Sequence, residues 1–151
     1  MRTRATDALD RLLELTVLLG QDMAAGLARD GLTESRAHLL WVLGETGPSP
    51  QRPLAQALGV TPRTVTGLVD GLVETGFVTR EPHPTDRRAA LVTPTAKGVA
   101  AVASLTAGRA ELARQLFGDV PPAEAERFVA TMDGVLDRLR AAIAADAEAR
   151  S

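Results

Sequence analysis

One short segment, Thr61-Pro62-Arg63-Thr64 with Thr66 just beyond it, combines the residue types best suited to hold an anion. Threonine followed by proline is the order that helix starts prefer, with threonine as the N-cap and proline in the first turn. The helix that begins here therefore places an arginine and several hydroxyl groups beside backbone amides that have no partner within the helix. Because such amides and the helix dipole attract negative charge, the segment favours binding of phosphate groups.

A second basic group, Arg87-Arg88, ends a stretch rich in proline and polar residues, 81–88. The β-branched segments on either side of this stretch predict a hairpin whose loop projects. If the loop is extended, adjacent side chains point in opposite directions. One arginine then reaches outward, and the other could pair with Asp86 or Asp70 and so orient the hairpin. An outward arginine suits a narrow minor groove of DNA, whereas the alternative interpretation is that both are solvated loop charges.

Hydrophobic periodicity, interrupted by glycine and proline, predicts the elements that must position these groups. Apolar residues at steps of three and four indicate long amphipathic helices towards both ends of the chain, with shorter helices between them. The helices are expected at about residues 6–29, 34–46, 52–58, 61–75, 95–117 and 122–147. The hairpin follows the fourth helix, so the expected fold class is mainly α with a small β-wing.

Two short helices joined at Gly59-Val60 and followed by a hairpin with a basic tip have the order of a winged helix-turn-helix. Helical spacing divides the second of these helices into two faces. The inward face is Val65, Leu68, Val69 and Leu72, and the outward face is Arg63, Gly67, Asp70 and Glu74. The N-terminal part of such a recognition helix meets base edges in the major groove. The residues expected at DNA are therefore Thr61, Arg63, Thr64, Thr66 and Gly67, together with Arg87 and Arg88 on the wing.

Gly67 and Gly71 are unusual, because an interior glycine costs a helix about 1 kcal/mol relative to alanine. Two interpretations remain open. In the first, a helix held by tertiary packing tolerates both glycines. In the second, the missing side chains let the helix backbone approach DNA closely.

The central part of the chain resembles the MarR (multiple antibiotic resistance regulator) family of bacterial repressors. The resemblance covers residues 32–98 and rests on LAQALGVT at 54–61, VTGLVDGL at 65–72, GFV at 76–78, DRR at 86–88 and TAKG at 95–98. It implies a homodimeric winged-helix regulator, with 61–75 in the major groove and 82–88 in the minor groove. It also implies that Asp86 and Arg88, the family's wing signature, orient the wing, and that an arginine there contacts DNA.

Ser49, Pro50 and Gly67 are among the positions that depart from the family pattern. An apolar residue is usual where Ser49 stands, a threonine or serine where Pro50 stands, and a basic residue where Gly67 stands. The first two departures weaken the third strand that a winged sheet would have. The last removes a phosphate or base contact from the recognition helix.

Charge is divided unevenly along the 151 residues, although the net charge of the whole chain is only −2. Residues 52–97 hold six basic and four acidic side chains, a net +2, and the rest of the chain is net −4. A basic middle region suits a nucleic-acid partner. The composition, 45% hydrophobic and 24% charged, predicts a globular cytoplasmic protein that makes no membrane contact. With no cysteine and two distant histidines, we expect no disulfide, thiol-based sensing, metal site or cofactor.

The apolar stripes of the terminal helices are too large for the small winged module to cover alone. We therefore expect a homodimer in which residues 1–31 and 98–151 form a helical dimerisation region and residues 32–97 form the DNA-binding domain. A twofold dimer would place two recognition helices about 34 Å apart and select a pseudo-palindromic operator.

A candidate effector site comprises His38 and Trp41, one turn apart in the second helix, with Leu12, Thr16 and Leu19 opposite. The resemblance implies a small amphipathic or aromatic ligand between the dimerisation and DNA-binding parts. The alternative is that Trp41 is ordinary core and His38 is a surface residue.

Together these features predict a ligand-responsive transcriptional repressor that binds double-stranded DNA. Catalysis is not expected, because phosphate loops, HExxH motifs and nucleophile elbows are missing. His83 beside Asp86 lies at a proline-flanked loop tip, which offers no pocket. The rival interpretation is a winged-helix-derived protein-interaction or small-molecule-binding module with little DNA affinity, suggested by the acidic total charge and Gly67.

Overall fold

Six helices and one antiparallel hairpin make up the part of the chain that the computed structural model describes, residues 3–150. In chain order they are α1 (Arg4–Arg29), α2 (Glu34–Thr46), α3 (Gln51–Leu58), α4 (Pro62–Glu74), β1 (Val78–Pro82), β2 (Ala90–Pro94), α5 (Ala96–Phe117) and α6 (Pro122–Ala149). The expected fold class, mainly α with a small β-wing, is confirmed. We call the hairpin and its loop, residues 78–94, the wing.

Local capping explains where the central helices begin and end. The hydroxyls of Thr33 and Thr61 each accept the amide hydrogen three residues further on, at N···O distances of 3.3 and 3.2 Å. Pro62 lies in the first turn of α4, where a missing N–H costs no hydrogen bond. Gly59 has a left-handed conformation, with φ of 65°, and ends α3 immediately before the turn into α4. These caps confirm the predicted helix starts.

The hydrophobic core lies among α2, α3, α4 and the wing. Its largest fully buried side chains are Leu39, Leu40, Leu43, Leu54, Val65, Val69, Leu72, Val78 and Val92. The buried face of α4 therefore matches the predicted inward face, with Leu68 partly buried against the same cluster. Burial of one such aliphatic side chain contributes about 1.5–3 kcal/mol, so this cluster holds α4 and the wing in place.

The winged sheet has two full strands and a remnant of a third. β1 pairs with β2 in antiparallel register from Val78 opposite Pro94 to Pro82 opposite Ala90. Ser49 forms one isolated bridge to Val92, with N···O distances of 3.2 and 2.8 Å. The flanking residues Pro48 and Pro50 have no N–H to donate, which explains why the third strand is reduced to a single residue.

The chain divides into two compact units, the first ending at Thr106 and the second beginning at Ala107. In the first unit, Leu27 is the one buried side chain that α1 contributes among the described residues. In the second unit, no described residue of α6 is buried. The large apolar side chains left exposed on these two helices are Leu9, Leu13, Leu15, Val17, Leu18 and Met23 on α1, and Phe128, Val129, Leu136, Leu139 and Ile143 on α6. The predicted dimerisation region concerns two chains and stays a prediction.

Candidate nucleic-acid interface

The first turns of α4 present an exposed polar surface. All five positions expected at DNA on this helix are exposed: Thr61, Arg63, Thr64, Thr66 and Gly67. Arg63 forms no ion pair with another described residue. Its guanidinium is therefore available to an external anion.

The threonine hydroxyls of this surface are already engaged in holding the helix start together. The Oγ1 atoms of Thr61 and Thr64 lie 2.9 Å apart. The hydroxyl of Thr66 donates to the carbonyl of Pro62 at 3.0 Å and accepts from Nε2 of Gln51 at 3.2 Å. The Gln51 contact ties α3 to α4 and was not predicted, because no local sequence pattern links residues fifteen positions apart.

The two glycines of α4 have different surroundings, which separates the two interpretations left open above. A Cβ at Gly67 would have no neighbouring atom within 4 Å, so this position is open to any approaching partner. Gly71 is buried, and a Cβ there would overlap the guanidinium of Arg36 from α2. The guanidinium of Arg36 thus occupies the space beside Gly71, whereas nothing in the described structure occupies the space at Gly67.

The wing loop carries Arg87 and Arg88, both exposed and without an ion pair to another described residue. Asp86 shapes the loop, because its Oδ1 accepts the amide hydrogen of Arg88 at 2.9 Å and its carbonyl accepts that of Ala89 at 3.2 Å. The predicted pairing of one wing arginine with Asp86 or Asp70 is not found. Asp86 instead holds the backbone of Arg88.

His83 is a second organiser of this loop. Its Nδ1 accepts the amide hydrogens of Thr85 and Asp86 at 3.2 and 3.1 Å. The hydroxyl of Thr85 also lies 3.3 Å from Nδ1. From the sequence, His83 beside Asp86 was weighed only as a catalytic residue. The sequence signal for this role is a polar side chain at the start of a predicted loop, because such a side chain can accept the backbone amides two and three residues further on.

Asp70 joins the recognition helix to the base of the wing. One of its oxygens lies 2.5 Å from Nη2 of Arg80 on β1, with side chains 60% and 34% exposed respectively. At this exposure the ion pair contributes little to stability, but it gives the Asp70 carboxylate and the Arg80 guanidinium each a defined partner. Asp70 therefore contacts the wing through Arg80 on strand β1. The sequence predicted a contact with an arginine at the tip of the wing instead.

The C-terminal end of α4 and the residues that follow it are joined to the start of α5 by contacts that lie away from the first turns of α4. Nζ of Lys97 donates to the carbonyl of Thr75 at 2.7 Å and lies 4.3 Å from the ring centroid of Phe77. The hydroxyl of Thr95 donates to the carbonyl of Gly76 at 2.7 Å. These contacts set the angle at which the chain leaves α4 and enters β1.

The candidate effector residues do not line a described cavity. His38 and Thr16 are exposed, and Trp41, Leu12 and Leu19 are half-buried. The Thr16 hydroxyl donates to the carbonyl of Leu12 in its own helix at 2.8 Å. An open cleft of about 280 Å³ lies elsewhere, at the base of the wing, lined by Pro50, Gln51, Arg80, Ala89, Ala90 and Val92.

Within residues 3–150, histidine, aspartate and glutamate form no cluster of three or more side chains that could hold a metal ion. In the same range, each helix is too short or too polar to cross a bilayer.

Comparison with known proteins identifies what this arrangement is similar to. A family model described as the MarR family matches residues 32–90, the segment that contains α2, α3, α4, β1 and the wing loop. The HTH-type transcriptional repressor YetL of Bacillus subtilis (strain 168) is 28% identical over 130 residues, which are 85% of this chain and 78% of the relative.

Solved structures extend the likeness beyond residues 32–90, which we call the winged segment. A probable transcriptional regulator from Pseudomonas aeruginosa is 34% identical with a TM-score of 0.60, over 83% of this chain and 93% of its own. RV1404 from Mycobacterium tuberculosis is 28% identical with a TM-score of 0.75, over 91% of this chain and 95% of its own. The likeness therefore includes most of the terminal helices.

Proposed function

Because the chain belongs to the MarR family of DNA-binding transcriptional regulators, we propose that it binds a pseudo-palindromic operator as a homodimer. In each protomer, α4 enters the major groove and the tip of the wing reaches the adjacent minor groove. The observation that carries this proposal is the exposure of three arginines, Arg63, Arg87 and Arg88, without ion-pair partners among the described residues. Cations without internal partners are available to phosphates and base edges.

On α4, Arg63 is the proposed base contact. It lies in the first turn, where a recognition helix comes closest to base edges, and arginine pairs best with guanine through two parallel hydrogen bonds. The threonines around it hold the helix start in shape, because the Thr61 hydroxyl accepts the amide hydrogen of Thr64 and lies 2.9 Å from the Thr64 hydroxyl. Gly67 adds no contact of its own but leaves room for the DNA backbone.

On the wing, Arg87 and Arg88 are the proposed minor-groove and phosphate contacts. Asp86 orients them through its hydrogen bond with the Arg88 amide. Asp70 supports the wing from below through Arg80. The α4 surface and the wing of one protomer are thus connected by the ion pair between Asp70 and Arg80.

The proposed homodimer follows from the exposed apolar side chains of the terminal helices. Homodimers and a response to ligands are typical of the family. Side chains such as Leu13 and Leu139, each more than half exposed in the single chain, need a partner surface in water. A second copy of the same helices supplies one, and twofold pairing doubles the small set of phosphate contacts.

A gel-shift titration at several salt concentrations tests the proposal, with the DNA upstream of the chain's own coding sequence as the probe and a shuffled duplex as the control. We expect tighter binding to the first duplex and a log–log slope of affinity against salt of roughly −0.9 per phosphate contact. A chain that binds neither duplex at any salt concentration would instead support the rival interaction module.

We also infer that the protein is a cytoplasmic repressor that responds to a small ligand. Trp41, the chain's one tryptophan, reports on the candidate effector site with His38. A small aromatic acid that binds there should change tryptophan fluorescence and release DNA over the same concentration range. If the acid releases DNA without changing the fluorescence, the effector binds elsewhere. The same conclusion follows if a Trp41→Phe variant binds the acid with unaltered affinity and still releases DNA.

A further inference from the structure

His83 lies at the start of the wing loop, and its side chain accepts the loop's backbone. Two amide N–H groups, those of Thr85 and Asp86, converge on one ring nitrogen, Nδ1. A backbone N–H can only donate, so Nδ1 must carry its lone pair and the ring hydrogen must be on Nε2. The hydrogen-bond pattern therefore selects one tautomer of neutral histidine.

From this geometry we propose that neutral His83 is a positioning residue for DNA binding, and that its protonation releases the wing tip. The inference rests on the proposed role of the wing in contacting DNA. Two side-chain acceptors, Nδ1 of His83 and Oδ1 of Asp86, hold three loop amides, those of Thr85, Asp86 and Arg88. The amide of His83 itself donates to the carbonyl of Ala89 at 3.3 Å and closes the loop.

Protonation changes this arrangement because an imidazolium has no acceptor. A hydrogen on Nδ1 would face two N–H groups, so both hydrogen bonds to the loop would be lost. The loop would then have to become ordered again on binding DNA, which weakens the affinity.

The charged groups around His83 do not supply an alternative partner. Those on the wing are Arg80, Glu81, Asp86, Arg87 and Arg88. The helices packed on the wing, α2, α3 and α4, carry Glu34, Arg36, His38, Glu45, Arg52, Arg63, Asp70 and Glu74. Glu81 accepts the hydroxyl of Thr79 at 2.8 Å, and Arg80 is paired with Asp70. Among the residues that the structure describes, none forms an ion pair with His83.

The direction of the pH effect distinguishes this role from simple electrostatics. A histidine that only added positive charge near phosphates would bind DNA more tightly when protonated. A histidine that positions the wing as an acceptor produces the opposite effect. Affinities measured at a higher and a lower pH therefore distinguish the two roles.

The matched variant is His83→Asn. Oδ1 of asparagine is the same number of bonds from Cα as Nδ1 of histidine, and asparagine commonly accepts amides two and three residues on without titrating. His83→Ala removes the acceptor altogether. His38→Gln removes the chain's other histidine and controls for its titration.

The experiment measures affinity for the upstream duplex at about pH 8 and about pH 5.5, at constant ionic strength. For the natural chain, affinity should fall about tenfold at the lower pH, the factor expected for two lost hydrogen bonds. His38→Gln should show the same fall. His83→Asn should bind as tightly as the natural chain at the higher pH and stay constant, while His83→Ala should be weak at both. An unchanged fall in His83→Asn, or tighter binding of the natural chain at low pH, overturns the inference.

A measurement without DNA keeps the inference separate from the proposed function. In 15N-histidine spectra of the free protein, neutral His83 should be in the form with hydrogen on Nε2, and the amide signals of Thr85 and Asp86 should shift as it titrates. A chain that binds no DNA but shows this tautomer would remove the proposed function and keep the loop assignment. The Nδ1–H tautomer would overturn the assignment.

Discussion

The winged segment and the terminal helices differ in where they bury their apolar side chains. Helices α2, α3 and α4 and the wing bury theirs against one another within a single chain, and Leu40, Val65 and Leu72 are each 0% exposed. In contrast, Ile143 on α6 is 61% exposed and Leu13 on α1 is 57% exposed. Both regions were predicted as amphipathic, so the pattern of apolar residues alone does not reveal which partner covers them.

This difference shows how one short chain separates two tasks. A winged lobe with its own core can present Arg63 and the wing arginines in a defined arrangement without help from another molecule. Terminal helices with exposed apolar faces need a second surface, which makes them suited to assembly. Substitutions in the two regions should therefore fail in different ways.

The largest expected effect is on folding of the winged lobe. Leu40→Ala leaves a cavity in the core and should lower the free energy of unfolding by about 2–5 kcal/mol in a urea titration. Val73→Ala, at a position 37% exposed on α4, is the matched control and should cost under about 1 kcal/mol. Equal losses in the two variants would mean that the core assignment is wrong.

The next effect concerns assembly. Leu13→Asp puts a carboxylate on the apolar face of α1, and an unpaired charge in an interface is costly. We expect the dimer dissociation constant to rise by at least about a hundredfold, equivalent to about 2.7 kcal/mol, in sedimentation experiments with an unchanged circular dichroism spectrum. Val60→Asp introduces the same charge at an exposed apolar residue between α3 and α4 and should leave the dimer intact. If both variants remain dimeric, another surface forms the interface.

A smaller effect distinguishes the two DNA-contacting surfaces. Arg63→Ala should weaken binding by about 1–3 kcal/mol and relax the preference for one base pair, whereas Arg88→Ala or Arg87→Ala should weaken binding to most sequences by a similar factor. Competition gel shifts with single-base variants of the duplex measure this. Arg127→Ala, on α6, removes the same charge elsewhere. The assignment fails if all three wing and helix variants bind like this control.

The smallest effect has the opposite sign. Gly67→Ala adds a methyl group where no atom lies within 4 Å and should raise the free energy of unfolding by about 0.5–1 kcal/mol. Gly67→Lys should also increase the steepness of the salt dependence by about one phosphate contact. Reduced DNA affinity in Gly67→Ala would favour close approach of the DNA backbone at this position.

Most of the fold was predictable because the signals are local. Thr33 and Thr61 cap helices through hydrogen bonds that span three residues, and Pro62 and Gly59 act on their own backbone dihedral angles. The wing was visible as two β-branched segments around a polar loop. The exposed position of Arg63 also follows from helical spacing. Local spacing predicted only one outward arginine on the wing, whereas both Arg87 and Arg88 are exposed.

Contacts between distant residues were not predictable in the same way. The pairing of Asp70 with Arg80, the hydrogen bond from Gln51 to Thr66 and the packing of Arg36 against Gly71 join separate elements. Each depends on how helices and strands are oriented in three dimensions, and several partners of the same chemistry compete for each group. A reading of the sequence could name the charges and hydroxyls, but it could not choose among their partners.

The local sequence thus decided where helices start, where the hairpin turns and which face of α4 is apolar. These outcomes depend on short-range hydrogen bonds and on the periodicity of apolar residues. Packing in three dimensions decided that Gly71 lies against Arg36, that Asp70 supports the wing through β1 and that Gln51 of α3 is bonded to Thr66 of α4. The reason is that these outcomes depend on which groups folding brings within about 3 Å of one another, the range over which hydrogen bonds act.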